Sequence, residues 1–258
     1  MATVTMPTKP LKSLRNYSGL LPDIDVFNRI MHPTHTFLLI GQSNMAGRGS
    51  ISAEKPIIDL RILMFRNGDW IPAIEPLHQD RPEAGIGLAM SFASVILSHH
   101  SGISVGLIPC AVGATSISEW MPGTELYQRT INTTRKATDA LQGILWHQGE
   151  YDASDRNRVN VYATRLSTLI QSIRAELRSP DLPFIAGELG KFINAASGFP
   201  YGDDISRILK SLVKNVPNYA CVSSLGLTDK GDGLHFNSRS LREFGKRYAT
   251  EFLTLWNK

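Results

Sequence analysis

The chain is predicted to adopt an α/β fold, a three-layer α/β/α sandwich around a five-stranded parallel sheet. Three observations predict it. Short apolar runs, at residues 37–40, 103–108, 143–146, 183–186 and 219–222, end in Gly, Pro or polar residues. They do not alternate with polar residues, as half-exposed strands would, and so read as strands buried on both faces. Between them lie longer stretches whose apolar residues recur every three or four positions, the mark of amphipathic helices. The regular alternation of the two kinds indicates βαβ units, and right-handed crossovers then settle most of the topology.

Taken in order, residues 1–35 hold Pro7, Pro10, Pro22 and Pro33 without sustained periodicity and read as an N-terminal arm. Leu20, Leu21, Ile24, Val26 and Phe27 would hold it in part against the body, and residues 36–258 would form one domain. Residues 59–65 read as a further strand, turned by Asn67-Gly68-Asp69 into Trp70-Ile71 as a hairpin. Pro72, Pro76 and Pro82 then form a long loop expected beside the first strand's exit. From Gly87 the pattern is helical through Leu88, Phe92, Val95 and Ile96, fading at His99-His100, where imidazoles suit a helix C-terminus. Helices follow at about 126–141, around Val159 to Leu177, at 205–213, and from Ser238 with Leu241, Phe244, Tyr248, Phe252 and Leu255 inward.

Composition bounds the function. Of 258 residues, 42% are hydrophobic and 19% charged, which fits a globular chain with a sizeable core. The net charge of +4 is scattered; its densest group, Arg239, Arg242, Lys246 and Arg247, shares a helix with Glu243 and Glu251 and reads as a solvated face, not a nucleic-acid surface. Neither a membrane span nor an export signal is visible, so a soluble, cytoplasmic protein is expected. Cys110 and Cys221 sit in strand-like runs separated by at least one further strand, so no disulfide is expected. No zinc spacing occurs and no cofactor is expected.

The chemistry points to the sheet's carboxyl edge, where open α/β folds keep their ligands. The first strand ends abruptly in Gly41-Gln42-Ser43-Asn44. Ser43 could be a helix N-cap or a nucleophile, and Met45 excludes the Gly-x-Ser-x-Gly elbow. Two other strands end at Gly113-Ala114-Thr115 and His147-Gln148-Gly149-Glu150, and Asp232-Gly233-Leu234-His235 lies between the last strand and last helix. A serine hydroxyl needs a neutral imidazole to take its proton, and the imidazole needs an acid on its other nitrogen. Asp232 and His235, three residues apart, supply both, whereas His78 and His147 are less favoured as the base. The backbone amides of Ser43 and Gly113 and the side-chain amide of Gln148 are candidate oxyanion donors. Gln42, Asn44, Glu150 and Trp120 are candidates for substrate contact or support of the site. Glu150 reads as a structural anchor for the Gln148 loop, and Trp120 and Trp146 more often pack than stack on a sugar. Arg48 could face an anionic substrate or pair with a carboxylate.

In order along the chain, Gly-Gln-Ser-Asn-Met-Ala-Gly-Arg-Gly, Val-Gly-Leu-Ile-Pro-Cys-Ala with Gly113 and Ile117-Ser118-Glu119-Trp120, Trp-His-Gln-Gly-Glu-Tyr-Asp and Asp-Gly-Leu-His resemble the SGNH hydrolase superfamily. Within it the match is to the branch of sialate O-acetylesterases and carbohydrate esterase family 6, with its plant relatives. The resemblance runs from about Phe37 to the C-terminus and implies a flavodoxin-like fold. It implies Ser43 as nucleophile, His235 as base, Asp232 as its acid, and Gly113 and Gln148 in the oxyanion hole. Ala114 replaces the second of two glycines usual in relatives, and Tyr151 stands where relatives often have Ser. The function expected is a serine esterase that removes O-acetyl groups from a carbohydrate, an acetylxylan or a sialate, through an acyl-enzyme. Its partner would be a small-molecule or polysaccharide acetyl ester, with neither nucleic acid nor membrane. The alternatives are a lipid or thioester hydrolase on the same fold and a non-catalytic carbohydrate-binding module.

Overall fold

The computed structural model describes residues 32–256. The expected N-terminal arm lies outside the described residues except at its last few positions. The first strand, β1 (His35–Gly41), is the centre of the sheet. Its apolar run is buried on both sides because alternate residues feed different layers. Phe37 and Leu39 face one core, while Leu38 and Ile40 face the other.

The sheet has seven strands, two more than expected, in the order β3-β2-β4-β1-β5-β6-β7. The added pair is the 59–72 hairpin. Strands β2 (Ile62–Arg66) and β3 (Asp69–Pro72) pair antiparallel, and β2 also pairs parallel with β4 (Val105–Pro109). The five predicted strands are all present: β5 (Gly143–His147), β6 (Phe184–Gly187) and β7 (Tyr219–Val222) complete the parallel set. Cys110 follows β4 and Cys221 lies in β7, with β1, β5 and β6 between them, and both thiols are free.

One layer is formed by α2 (Ala89–His99) and α6 (Ser238–Trp256). Phe37, Phe92 and Phe252 interlock there edge to face, with ring centroids 4.8 to 6.0 Å apart. The other layer contains α3 (Glu125–Ala137), α4 (Arg156–Glu176) and α5 (Gly202–Ser211). The predicted 126–141 helix stops early, at Ala137, since Thr138 turns to extended backbone. The single-turn helix α1 (Ser43–Ala46) follows β1 directly. The chain leaves β1 for β2, beyond β4, and later crosses to β5 on the opposite flank. The carboxyl end of β1 is therefore where the strand order reverses, and a crevice opens there.

Candidate active site

Ser43 is presented by a tight exit from β1. Gly41 has φ of +128°, and a side chain there would lie 2.1 Å from the His147 carbonyl oxygen, so only glycine fits. That closeness lets Gln42 N–H bond the same carbonyl at 2.9 Å and tie β1's exit to β5's. Ser43 then starts α1, and among the described residues its own backbone N–H has no acceptor.

The other half of the site arrives from the loop before α6. His235 Nε2 lies 3.0 Å from Ser43 Oγ, and its Nδ1 lies 2.7 Å from Asp232 Oδ2. Asp232 is fixed by its own loop, since Oδ1 accepts from the amides of Leu234 at 3.0 Å and His235 at 2.8 Å. Partial burial would raise the Asp232 pKa, but those amides and the imidazole outweigh it and hold the carboxyl at about 2. It is therefore an anion throughout the physiological range.

Asn44 joins the halves across 190 residues of sequence. Its Oδ1 accepts from Phe236 N at 3.0 Å and its Nδ2 donates to Leu234 O at 3.1 Å, so it grips the backbone on both sides of His235. The same Nδ2 donates to Glu150 Oε1 at 2.6 Å. Glu150 is fully buried and lies 3.2 Å from His147 Nε2, while His147 Nδ1 lies 3.3 Å from the Tyr248 hydroxyl. Burial pushes the Glu150 carboxyl up, yet His147 and Asn44 more than offset this and hold it below the ordinary range. His147 and Glu150 stand three residues apart, a spacing that the preference for His235 passed over. Gln42 also organises this edge, its Oε1 accepting from Gln148 Nε2 at 3.2 Å and from the amides of Gly149 and Tyr151 at 3.4 Å.

Two expected oxyanion donors are engaged elsewhere. Gly113 lies beside Ser43, and a side chain there would come 3.6 Å from Ser43 Cβ, but its N–H donates to Asp80 Oδ2 at 2.8 Å. Gln148 is fully buried, and its NH2 donates to Thr115 O at 2.9 Å and Asp152 Oδ2 at 2.5 Å as well as to Gln42. Ala114 instead lines the same cavity as Ser43, exposed, with φ of +62° and no acceptor for its N–H among the described residues. Trp120 is 1% exposed, packed edge to face on Trp146 and hydrogen-bonded through Nε1 to Thr115, so it contributes to the core and not to a sugar platform. Arg48 is buried and paired with Asp80 at 2.6 Å. Asp80 stays ionised: burial acts to raise its pKa, but Arg48 and the Gly113 amide bring it below the usual range.

The cavity over Ser43 holds about 380 Å³. Its rim includes Arg81, Pro82 and Glu83 from the predicted proline-rich loop, with Tyr151 and Phe199 opposite. Arg158 lies over the Tyr151 ring at 4.5 Å. Phe199 and Asp80 carried no signal in the sequence, since each reaches the site only through long-range folding. Among the described residues no group of three His, Cys, Asp or Glu side chains could hold a metal ion, and no helix is long and apolar enough to cross a membrane.

Comparison with known proteins extends these observations. The chain is 32% identical over 246 residues to "Probable carbohydrate esterase At4g34215" of Arabidopsis thaliana, covering 86% of this chain and 91% of that protein. The crystal structure of that Arabidopsis protein superposes with a TM-score of 0.77 at 31% identity, covering 86% of this chain and 98% of it. NanS shares the fold, with a TM-score of 0.72 at 17% identity over 88% of this chain and 99% of its own. So does the carbohydrate acetylesterase XAC1771 from Xanthomonas citri, with a TM-score of 0.61 at 18% identity over 87% of this chain and 57% of its own. Residues 33–254 match the family described as "Carbohydrate esterase, sialic acid-specific acetylesterase", and the chain belongs to that family.

Proposed function

We propose that this carboxylic ester hydrolase removes O-acetyl groups from a carbohydrate through a Ser43–His235–Asp232 relay. The observation that carries the reading is the unbroken line from Asp232 Oδ2 to His235 Nδ1 at 2.7 Å and from His235 Nε2 to Ser43 Oγ at 3.0 Å. In this reading Asp232 holds the imidazole with its proton on Nδ1, leaving Nε2 free to accept the serine proton. Ser43 Oγ attacks the acetyl carbonyl, the imidazolium passes its proton to the departing sugar hydroxyl, and a water repeats the sequence to release acetate.

The tetrahedral intermediates need donors that are free when charge develops. The Ser43 and Ala114 amides meet that condition in the resting arrangement. Gly113 can join them only by exchanging its Asp80 carboxylate for the oxyanion, and Gln148 only by giving up one of its three buried acceptors.

The small cavity supports a short acyl group over a lipid chain, and acetyl esters should be turned over faster than octanoyl esters. The substrate class expected is an acetylated sugar such as an acetylxylan or an O-acetylated sialate. The direct test is Ser43→Ala assayed on an activated acetyl ester, with fluorophosphonate labelling of the parent protein. Loss of turnover in the variant and labelling of the parent at Ser43 are expected. Undiminished hydrolysis by the pure variant would end the proposal, and an unlabelled parent would favour a binding module.

A further inference from the structure

The cavity over Ser43 is not the largest on this edge. A cleft of about 690 Å³ lies on the other side of the Val112–Gly113 segment, between the β2–β3 hairpin and α3. Asp80 connects the two through one hydrogen bond. It borders the cleft, and its Oδ2 accepts from Gly113, which itself borders the Ser43 cavity.

The lining of the cleft is unbalanced in charge. Arg66, Arg129 and Lys136 border it, and among the described residues none of them is within salt-bridge distance of a carboxylate. The one carboxylate in the lining, Asp80, is already neutralised by buried Arg48. Arg129 and Lys136 are seven residues apart on α3, two turns along one face. Thr133 lies between them and Asn67 and Gln79 opposite, which are hydroxyl-binding side chains, over an apolar floor at the exit of β4. His78 also borders the cleft, but it is 3% exposed, its ring nitrogens are covered and the Ala46 backbone lies beside the ring, so it forms wall and not a ligand contact.

Cations spread around an apolar floor, with neutral donors and acceptors between them, match a sugar ring that carries one carboxylate. A phosphate cradle would instead converge its donors on one point. We propose that this cleft binds the carboxylate-bearing residue of an acidic glycan while a neighbouring O-acetylated residue occupies the Ser43 cavity. The inference rests on the esterase reading of Ser43 and adds to it a substrate class, acetylated chains that contain an acidic sugar.

The test separates the two readings. Arg129→Glu/Lys136→Glu, both exposed positions on α3, should hydrolyse a small neutral acetyl ester at the parental rate. On an acetylated uronate oligomer its kcat/KM should fall by about ten- to a hundredfold, mostly through KM, with no such fall on an acetylated neutral oligomer. Parallel titrations of Ser43→Ala with de-acetylated uronate and neutral oligomers of equal length report binding without turnover, so they stand even if the esterase reading fails. Preference for the uronate, lost on the double charge reversal, supports the cleft. An O-acetylated sialoside, which carries acetyl and carboxylate on one sugar, should be insensitive to the double variant, and a fall equal to that on the uronate would overturn the placement of the two groups on neighbouring residues. Equal handling of acidic and neutral oligomers, indifference to the double variant, or inorganic phosphate competing as strongly as the uronate would overturn the proposal.

Discussion

Two imidazole–carboxylate pairs sit within this site, each spanning three residues of sequence, and they differ in almost everything else. His235 and Asp232 lie on an exposed loop, 2.7 Å apart, and the imidazole's second nitrogen reaches Ser43. His147 and Glu150 lie at the buried end of β5, 3.2 Å apart, and the second nitrogen is taken by Tyr248, whose hydroxyl donates to Trp146 O at 2.8 Å. A base must gain and lose a proton on each cycle, which requires a free nitrogen and a path to solvent. The His235 pair has both. The His147 pair, with side chains 0% and 1% exposed, has neither, and it anchors Asn44 behind Ser43 and His235. Sequence spacing makes such a pair possible, and burial together with the second partner decides what it does.

The sharpest way to break this comparison is to delete each imidazole. His235→Ala should lower kcat by about 10⁴-fold or more while leaving thermal unfolding nearly unchanged. His147→Ala should do the reverse, unfolding earlier because Glu150 is left buried without its partner. If deleting His147 removed the rate and spared stability, the roles assigned here would be exchanged. Asp232→Asn should cost about 10³ to 10⁴ in kcat, since the asparagine no longer fixes the tautomer that leaves Nε2 free. Because the Asp232 carboxyl is held at about 2, it stays charged across the working range and does not set the acid limb of the rate profile. A limb in the parent enzyme centred near pH 2 would contradict that.

Next in size is Glu150→Gln. The glutamine keeps an acceptor for Asn44 but removes the charge facing His147, and a loss of about 2–4 kcal/mol is expected in urea unfolding, with kcat reduced less than tenfold. A hundredfold loss of kcat at unchanged stability would place Glu150 in the reaction instead. A second buried imidazole, His78, has no carboxylate bonded to it, and burial brings its pKa down to about 4, Asp80 opposing and Arg48 reinforcing the fall. The unfolded ring takes up a proton near 6.5 and the folded ring only near 4, so the neutral form favours folding. Its contribution is complete above about pH 6.5 and is lost as the pH falls from there toward 4, by about 3 kcal/mol. His78→Gln should flatten the stability profile over that interval, and a parallel profile would show that the ring does not titrate there.

Much of this was legible in the chain itself. The five parallel strands follow from apolar runs whose meaning is local, and Ser43, Asp232 and His235 follow from residue chemistry at strand ends. The extra strands β2 and β3 were readable as a hairpin, but their membership of the sheet depends on pairing with β4, which sequence periodicity does not carry. The donors expected at Gly113 and Gln148 illustrate the same boundary. Residue identity says that an amide is present, whereas its direction is set by Asp80, 33 positions away, and by Thr115, Asp152 and Gln42.

The smallest effect is expected at Ala114, and it bears on which amides are free for the oxyanion. With φ of +62° this alanine occupies the left-handed region, where a Cβ costs about 1–2 kcal/mol and a glycine nothing comparable. Ala114→Gly relieves that strain but gives the unfolded chain more freedom to lose, about 0.4–1 kcal/mol in the opposite direction. The net gain in stability should therefore stay near or below about 1 kcal/mol. Because the amide itself is retained, kcat on a small acetyl ester should change less than threefold. Replacing the Ala114 peptide N–H by an ester oxygen, through incorporation of lactic acid at this position, removes the donor and keeps the side chain. A fall of about 10² in kcat is expected there, against little change for the same replacement at Gly113, whose N–H is spent on Asp80. If the ester at Gly113 proved the damaging one, Asp80 would have to leave during turnover, and the buried Arg48–Asp80 pair would be a moving part of the reaction.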